Sequence, residues 1–258
     1  MKHDRQRLMK QLIHDKKTVT VQALQDQFDV SFETIRRDLR DLEAEGILTR
    51  VYGGAVLADH SVMPNNIESW DYRAGRYAER KALIANEMLR YIPDNATIAL
   101  DSGTTMYLFA KLLKQRQNLT IITNDLHTAD ALCSETDHEV FFVGGVMQRT
   151  EKITAGYYSL DFLKYFAHID ITVLTADGFD PKLGISDHNI DMGSLKMEFI
   201  KRSEKVFAMF DSSKFITKAP YHVCPTERID LLITDDKVSE ENIREIRKQN
   251  VRMITVHV

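Results

Sequence analysis

Residues 31–55 read SFETIRRDLRDLEAEGILTRVYGGA, and the order of residue types along them decides the fold of the amino-terminal region. At about 100° per residue, Ile35, Leu39 and Leu42 fall on one narrow stripe of a helix, while Glu33, Arg36, Arg37 and Arg40 cluster on the far side. Ser31 stands where an N-cap belongs, Glu33 puts a carboxylate at the positive helix end, and Gly46 offers a left-handed stop. Upstream, residues 19–28 carry Val21, Leu24 and Phe28 at helical spacing, which predicts a short amphipathic helix ending just before Asp29. Leu8, Leu12 and Ile13 give an earlier helix its apolar stripe, and residues 47–56 alternate into a hairpin turn at Gly53-Gly54.

Three helices and a wing form a winged helix-turn-helix, whose second motif helix lies in the major groove of DNA. There an arginine bonds guanine with two hydrogen bonds, and a neighbouring Ser or Thr reaches bases or phosphate. Ser31, Thr34, Arg36, Arg37 and Arg40 are therefore the expected contacts to double-stranded operator DNA, and Arg50 on the wing is expected against the backbone or minor groove. Ser31, Thr34, Ile35, Arg36, Arg37, Asp38 and Leu39, followed by Leu42, Glu43, Gly46 and Gly53-Gly54-Ala55, resemble the winged helix-turn-helix of the DeoR family of bacterial transcription regulators. Residues 1–56 carry 10 Lys/Arg against 9 Asp/Glu, so any basic patch is local and depends on Asp38, Asp41 and Glu43 facing partly elsewhere. A field that small predicts weak binding by one head and operator recognition by at least a dimer.

The whole chain, 258 residues with 34 Lys/Arg and 38 Asp/Glu, has room for this head plus a domain of about 190 residues with a full core. Cys133 and Cys224 stand far apart without a CxxC pattern, and no apolar run reaches the roughly 20 residues of a membrane span. A reduced, cytoplasmic chain is expected. Residues 58–69, with Asp59, His60, Ser61, Pro64, Asn65 and Asn66, interrupt the apolar periodicity. The expected organisation is a DNA-binding domain over 1–56, a linker over 57–75 and an α/β domain over 76–258.

Within 76–258, seven β-branched runs at 97–100, 119–123, 139–143, 171–176, 205–210, 230–234 and 252–256 are mostly separated by helical lengths. Uninterrupted apolar strands joined by helices predict a doubly wound, mostly parallel sheet, whose ligands bind beyond the strands' carboxyl ends. After the first strand come Asp101, Ser102, Gly103, Thr104 and Thr105, opening a helix: hydroxyls, a glycine and free N–H groups that together make a phosphate cradle. It lacks the GxxxxGK[ST] pattern of a nucleotide-hydrolysing loop. Other strand ends read Thr123-Asn124-Asp125, Gly144-Gly145, Asp177-Gly178-Phe179-Asp180 and Asp211-Ser212-Ser213-Lys214. Asn and Asp suit sugar hydroxyls, paired glycines clear room, and Lys214 suits phosphate charge.

The same segments, DSGTT, TN, VGG, ADG and DSSKF, resemble the effector domain of the DeoR family across essentially all of 76–258. The resemblance implies a fold like that of ribose phosphate isomerases, a phosphorylated sugar as effector, a homo-oligomer (dimer or tetramer) and repression of a sugar-metabolism operon. The departures are residues 186–190, SDHNI, where relatives often have a Thr-Pro-Asn-Glu-like stretch, and Ile216, where glycine is common. The alternative is a sugar-phosphate isomerase-like enzyme carrying a DNA-binding head, with Asp177, Asp180 and Lys196 as acid–base and cationic groups. The isomerases' Gly-rich catalytic segment has no clear counterpart, so no catalytic residue and no cofactor are expected. The nine histidines are scattered, with only His188 and Asp191 at helical spacing, and no metal is expected.

Overall fold

The computed structural model describes residues 2–16, 18–44, 47–51, 54–57 and 70–258. The chain divides into two compact units, Met1–Arg73 and Ala74–Val258. The smaller unit runs α1 (Lys2–Lys16), β1 (Thr18–Thr20), α2 (Val21–Phe28), α3 (Phe32–Ala44), β2 (Leu48–Val51) and β3 (Gly54–Leu57), with the strands antiparallel in the order β1-β3-β2. Met9, Ile13, Leu24, Ile35, Leu39 and Leu42 fill its core.

Four details differ from the sequence reading, the first being that Leu8, expected on the apolar stripe of α1, is exposed while Met9 is buried. Residues Thr18–Thr20 form a strand instead of joining the following helix. Their β-branched side chains favour extended backbone, and Thr20 then caps α2 by accepting from Ala23 N at 3.1 Å. Gly54 opens β3 opposite Val51, so it is a strand residue and not a turn residue; Gly53 and Gly46 lie outside the described residues. Leu57 closes β3, and α4 (Trp70–Gly75) is helical because WDYRA holds no breaker before Gly75, whereas the 57–75 linker had included both. Residues 58–69 lie outside the described residues.

The larger unit continues with α5 (Ala78–Leu89), β4 (Thr97–Leu100), α6 (Thr104–Leu112), β5 (Thr120–Thr123), α7 (Leu126–Glu135) and β6 (Glu139–Phe142). A hairpin β7 (Val146–Gln148) and β8 (Ile153–Ala155) precedes α8 (Tyr157–Leu163), β9 (Ile169–Leu174), β10 (Gly178–Asp180) and β11 (Gly184–Asp187). The chain ends with α9 (Ile190–Arg202), β12 (Ser203–Met209), β13 (Tyr221–Cys224), β14 (Leu231–Asp235), α10 (Glu240–Arg247) and β15 (Arg252–Val256). The expected apolar runs become one seven-stranded sheet, β15-β14-β12-β9-β4-β5-β6, every neighbouring pair parallel.

Alternate residues of each strand serve opposite cores. Ile98, Leu100, Ile121, Phe207 and Ile233 pack with Ile84 and Met88 of α5 and Phe109 of α6. Ala99 and Ile122 pack with Leu163 of α8 and with Leu195 and Phe199 of α9, while Ala208 and Leu232 meet Ile246 of α10. This is the doubly wound α/β fold. Strand order reverses between β4 and β9, and a crevice at their carboxyl ends is where such sheets take ligands.

Candidate functional site

On α3 the apolar stripe is buried, and Arg36, Arg37 and Arg40 are exposed on the other side. Ser31 is exposed and caps the helix, its Oγ accepting from Thr34 N at 3.3 Å, and the Arg36 guanidinium lies 5.3 Å from the Phe32 ring centroid. Asp38 does more than face elsewhere. It is 1% exposed and accepts from Arg5 Nε at 2.5 Å and from Gln6 Nε2 at 3.3 Å, so its charge is neutralised inside the unit. On the exposed side of that helix the three arginines outnumber one acid, Glu33. Arg50 belongs to β2, paired with Ala55, and its side chain lies outside the described residues.

At the switch point Asp101 follows β4 with its carboxylate buried. Its Oδ2 accepts from Thr175 N and from Thr175 Oγ1, both at 2.9 Å, and lies 3.0 Å from Lys196 Nζ. Lys196, reaching in from α9, also lies 2.9 Å from Asp187 Oδ2. Burial alone lowers the Lys196 ammonium, but the charges of Asp101, Asp187 and Asp177 outweigh that and hold it above the ordinary lysine value. Burial pushes the Asp187 carboxyl up beyond what Lys196 offsets, whereas for Asp177 burial is overcome by Lys196 and Lys214, which hold it down. The difference follows from their neighbours: Asp177 has a second cation in Lys214 and the His188 N–H, whereas Asp187 has Lys196 as its cation and bears the repulsion of Asp177.

The cradle itself is partly engaged. Gly103 takes φ +118°, open to glycine at little cost, and its N–H donates to Asp125 Oδ2 at 3.0 Å, so that donor is not free for an anion. Burial raises the Asp125 carboxyl above its ordinary value, although Gly103 and His127 N–H groups bond to it. Thr104 and Thr105 open α6, where first-turn N–H groups have no intrahelical acceptor. The buried ammonium of Lys81 donates to Thr104 Oγ1 at 2.9 Å. The sequence reading missed Lys81, and its signal was present: it sits on the apolar stripe of α5 with Ile84, Ala85 and Met88, where a lysine needs a polar reason.

Several expected contacts hold the protein's own chain. Ser102 accepts from Thr175 Oγ1 at 2.8 Å through its carbonyl. Thr123 Oγ1 accepts from Asp125 N at 3.3 Å, and Asn124 Nδ2 donates to the Thr154 carbonyl at 2.7 Å, fastening the β7–β8 hairpin. A Cβ on Gly145 would stand 2.2 Å from Ser159 Oγ and 2.9 Å from the Ala155 carbonyl, and one on Gly178 2.4 Å from the Thr217 carbonyl, so both glycines clear room for the protein's own chain; Gly144 faces open space. Gly178 opens β10. Lys214 is half-buried, close enough to Asp177 to bias its charge. Asp180 Oδ1 accepts from Lys182 and Leu183 N–H groups and so shapes a turn. At the sheet's opposite end His168, Asp170 and Glu204 lie close enough to share an ion, but Asp170 is engaged by His168 at 3.1 Å and by Thr97 N at 2.7 Å.

Comparison with known proteins matches both units. Residues 5–61 match the DeoR-like helix-turn-helix domain, and residues 76–236 match the DeoR C terminal sensor domain. The HTH-type transcriptional regulator GolR of Listeria innocua is 33% identical over 237 residues, 92% of each chain. The glycerol-3-phosphate regulon repressor of Escherichia coli is 30% identical over 225 residues, 87% of each chain. Among solved structures, a D-ribose-5-phosphate isomerase in complex with phospho-erythronic acid aligns over 54% of each chain with a TM-score of 0.41 at 19% identity. Among the described residues no helix is long and apolar enough to cross a membrane.

Proposed function

From the premise that this chain belongs to the DeoR family of transcriptional regulators and binds DNA through its helix-turn-helix, we propose that it represses a sugar-metabolism operon under control of a phosphorylated sugar. The observation that carries this reading is the Lys81 ammonium 2.9 Å from Thr104 Oγ1 at the start of α6. A phosphate there accepts from the N–H groups of Thr104 and Thr105, from the Thr105 and Ser102 hydroxyls and from the lysine charge. At the neighbouring strand ends Asp177 suits hydroxyls of the attached sugar and Lys214 the phosphate charge. The name of the E. coli relative couples a phosphorylated polyol to repression, which supports the same class of effector.

Arg36 and Arg37 read base edges, with Ser31, Thr34 and Arg40 contacting bases or phosphates and Arg50 the backbone or minor groove. The protein works in the cytoplasm as a homo-oligomer, since one head of net charge +1 binds too weakly alone. It is a sensor and not an isomerase. Lys196 is locked between Asp101 and Asp187, and Asp180 is engaged in a turn, so neither stands ready to move a substrate proton.

A thermal-shift screen of central sugar phosphates against their dephosphorylated counterparts tests the effector. At about 100 times its dissociation constant a ligand stabilises by about 2.7 kcal/mol, or about 5–10 °C for a domain of this size. A shift that survives removal of the phosphate sinks the cradle assignment, and turnover of the ligand by purified protein sinks the sensor reading.

A further inference from the structure

The larger unit leaves one face strongly apolar toward solvent. Tyr157, Tyr158 and Tyr165 are 72%, 70% and 84% exposed, and Val146, Ile190 and Met197 stand out beside them. Tyr157 and Tyr158 open α8 and Tyr165 stands just past its end, while Ile190 and Met197 lie two helical turns apart along α9. The two helices share one core through Leu160, Leu163, Leu195 and Phe199, and Met192 packs on Ile153 and Ala155 of β8, the strand paired with β7. The stripes and the hairpin are therefore parts of one surface.

We propose that this face, α8 with the outer stripe of α9 and the tip of β7, is the interface through which a second copy of the chain binds across a two-fold axis. A fully exposed tyrosine presents roughly 200 Å², so the three tyrosines alone offer about 450 Å². With Val146, Ile190 and Met197 the face approaches the roughly 800 Å² per partner of a stable association. Exposed apolar area this large and this aromatic is the composition of an interface core. Its charge pattern fits a copy of itself. On α8 Asp161 and Lys164 pair at 2.6 Å, so the stripe carries no net charge, and an antiparallel crossing of α8 on α8 sets acid against base from each side. The inference supplies the assembly that the two-headed operator reading needs, and in that respect rests on it.

Sedimentation of the full-length chain tests it without DNA or sugar phosphate. The parent is expected at twice the 29.7 kDa chain mass or more, and Tyr158→Glu with Tyr165→Glu at the mass of one chain with an unchanged circular dichroism spectrum. A parent of single-chain mass, or a double variant that keeps the parent's mass, overturns the proposal. A second measurement avoids the charge change. In a Cys133→Ser background, Tyr158→Cys is expected to be joined copy to copy by a short bis-maleimide, while Lys111→Cys, on the opposite face of the sheet, is not. No Tyr158→Cys cross-link overturns the interface. A parent that associates through this face yet binds no duplex DNA leaves the interface standing and sinks the operator reading alone.

Discussion

Two kinds of charged side chain divide the work of this protein, and their surroundings set what each change costs. Arg36 and Arg37 are exposed, and the ring that Arg36 covers, Phe32, is itself half exposed, so Arg36→Ala or Arg37→Ala leaves stability within about 0.5 kcal/mol. Operator affinity falls by about 1–3 kcal/mol where a base contact is lost, measured by fluorescence anisotropy on a selected operator duplex. Unchanged affinity in both variants overturns the recognition assignment. Lys196 is the opposite case. Lys196→Met strands the carboxylates of Asp101 and Asp187 in the interior, at a cost on the order of 3–5 kcal/mol. The Asp187 carboxyl already stands above its ordinary value through burial, and without the ammonium it rises further. A group of that kind contributes stability below its unfolded pKa and loses it as pH rises, so the variant's deficit grows from pH 5 to pH 8. Urea midpoints for parent and variant at both pH values read this directly, and a deficit independent of pH contradicts it.

At the scale of elements, the start of α6 is where ligand chemistry concentrates. Lys81→Met removes a charge-assisted bond worth about 1.5–3 kcal/mol, so affinity for a phosphorylated ligand drops about 10–150-fold while that for its dephosphorylated form stays level. Equal losses for both, by calorimetry, remove Lys81 from the phosphate subsite. The small antiparallel sheet depends on backbone contact: Gly184 has φ +99° and a Cβ there would stand 2.0 Å from the Cys224 carbonyl. Gly184→Ala is therefore expected to cost well over about 1 kcal/mol in thermal unfolding. The seven central strands were legible because buried parallel strands are unbroken apolar runs. β1, β7, β8, β10, β11 and β13 were not, since three or four residues such as VMQ, GFD or YHVC are too few to show a strand's alternation until a partner strand is known. The DSGTT cradle was legible as a strand-to-helix junction. Its Lys81 and Asp125 were not, because contacts from 22 or 23 residues away are set by the sheet order and not by local spacing.

For the whole molecule, the question is how much an effector can change operator binding, and the answer is fixed by differential affinity, however far apart the sites lie. If the sugar phosphate binds one assembly better than the other by about 1–3 kcal/mol, operator affinity changes about 5–150-fold. Thermodynamic linkage then requires operator DNA to weaken the effector by the same factor. Titrating effector by calorimetry with and without saturating operator, and operator by anisotropy with and without saturating effector, gives the two ratios independently. Equal ratios are expected, and both should collapse to one in Thr104→Ala with Thr105→Ala, which spares the DNA-reading head. A ratio of one in the parent means that the anion cradle and the arginine-bearing helix are uncoupled. Salt provides the control: each phosphate neutralised by a head steepens the fall of operator affinity with ionic strength, so a two-headed assembly loses about half of its logarithmic slope when Tyr158→Glu with Tyr165→Glu separates it.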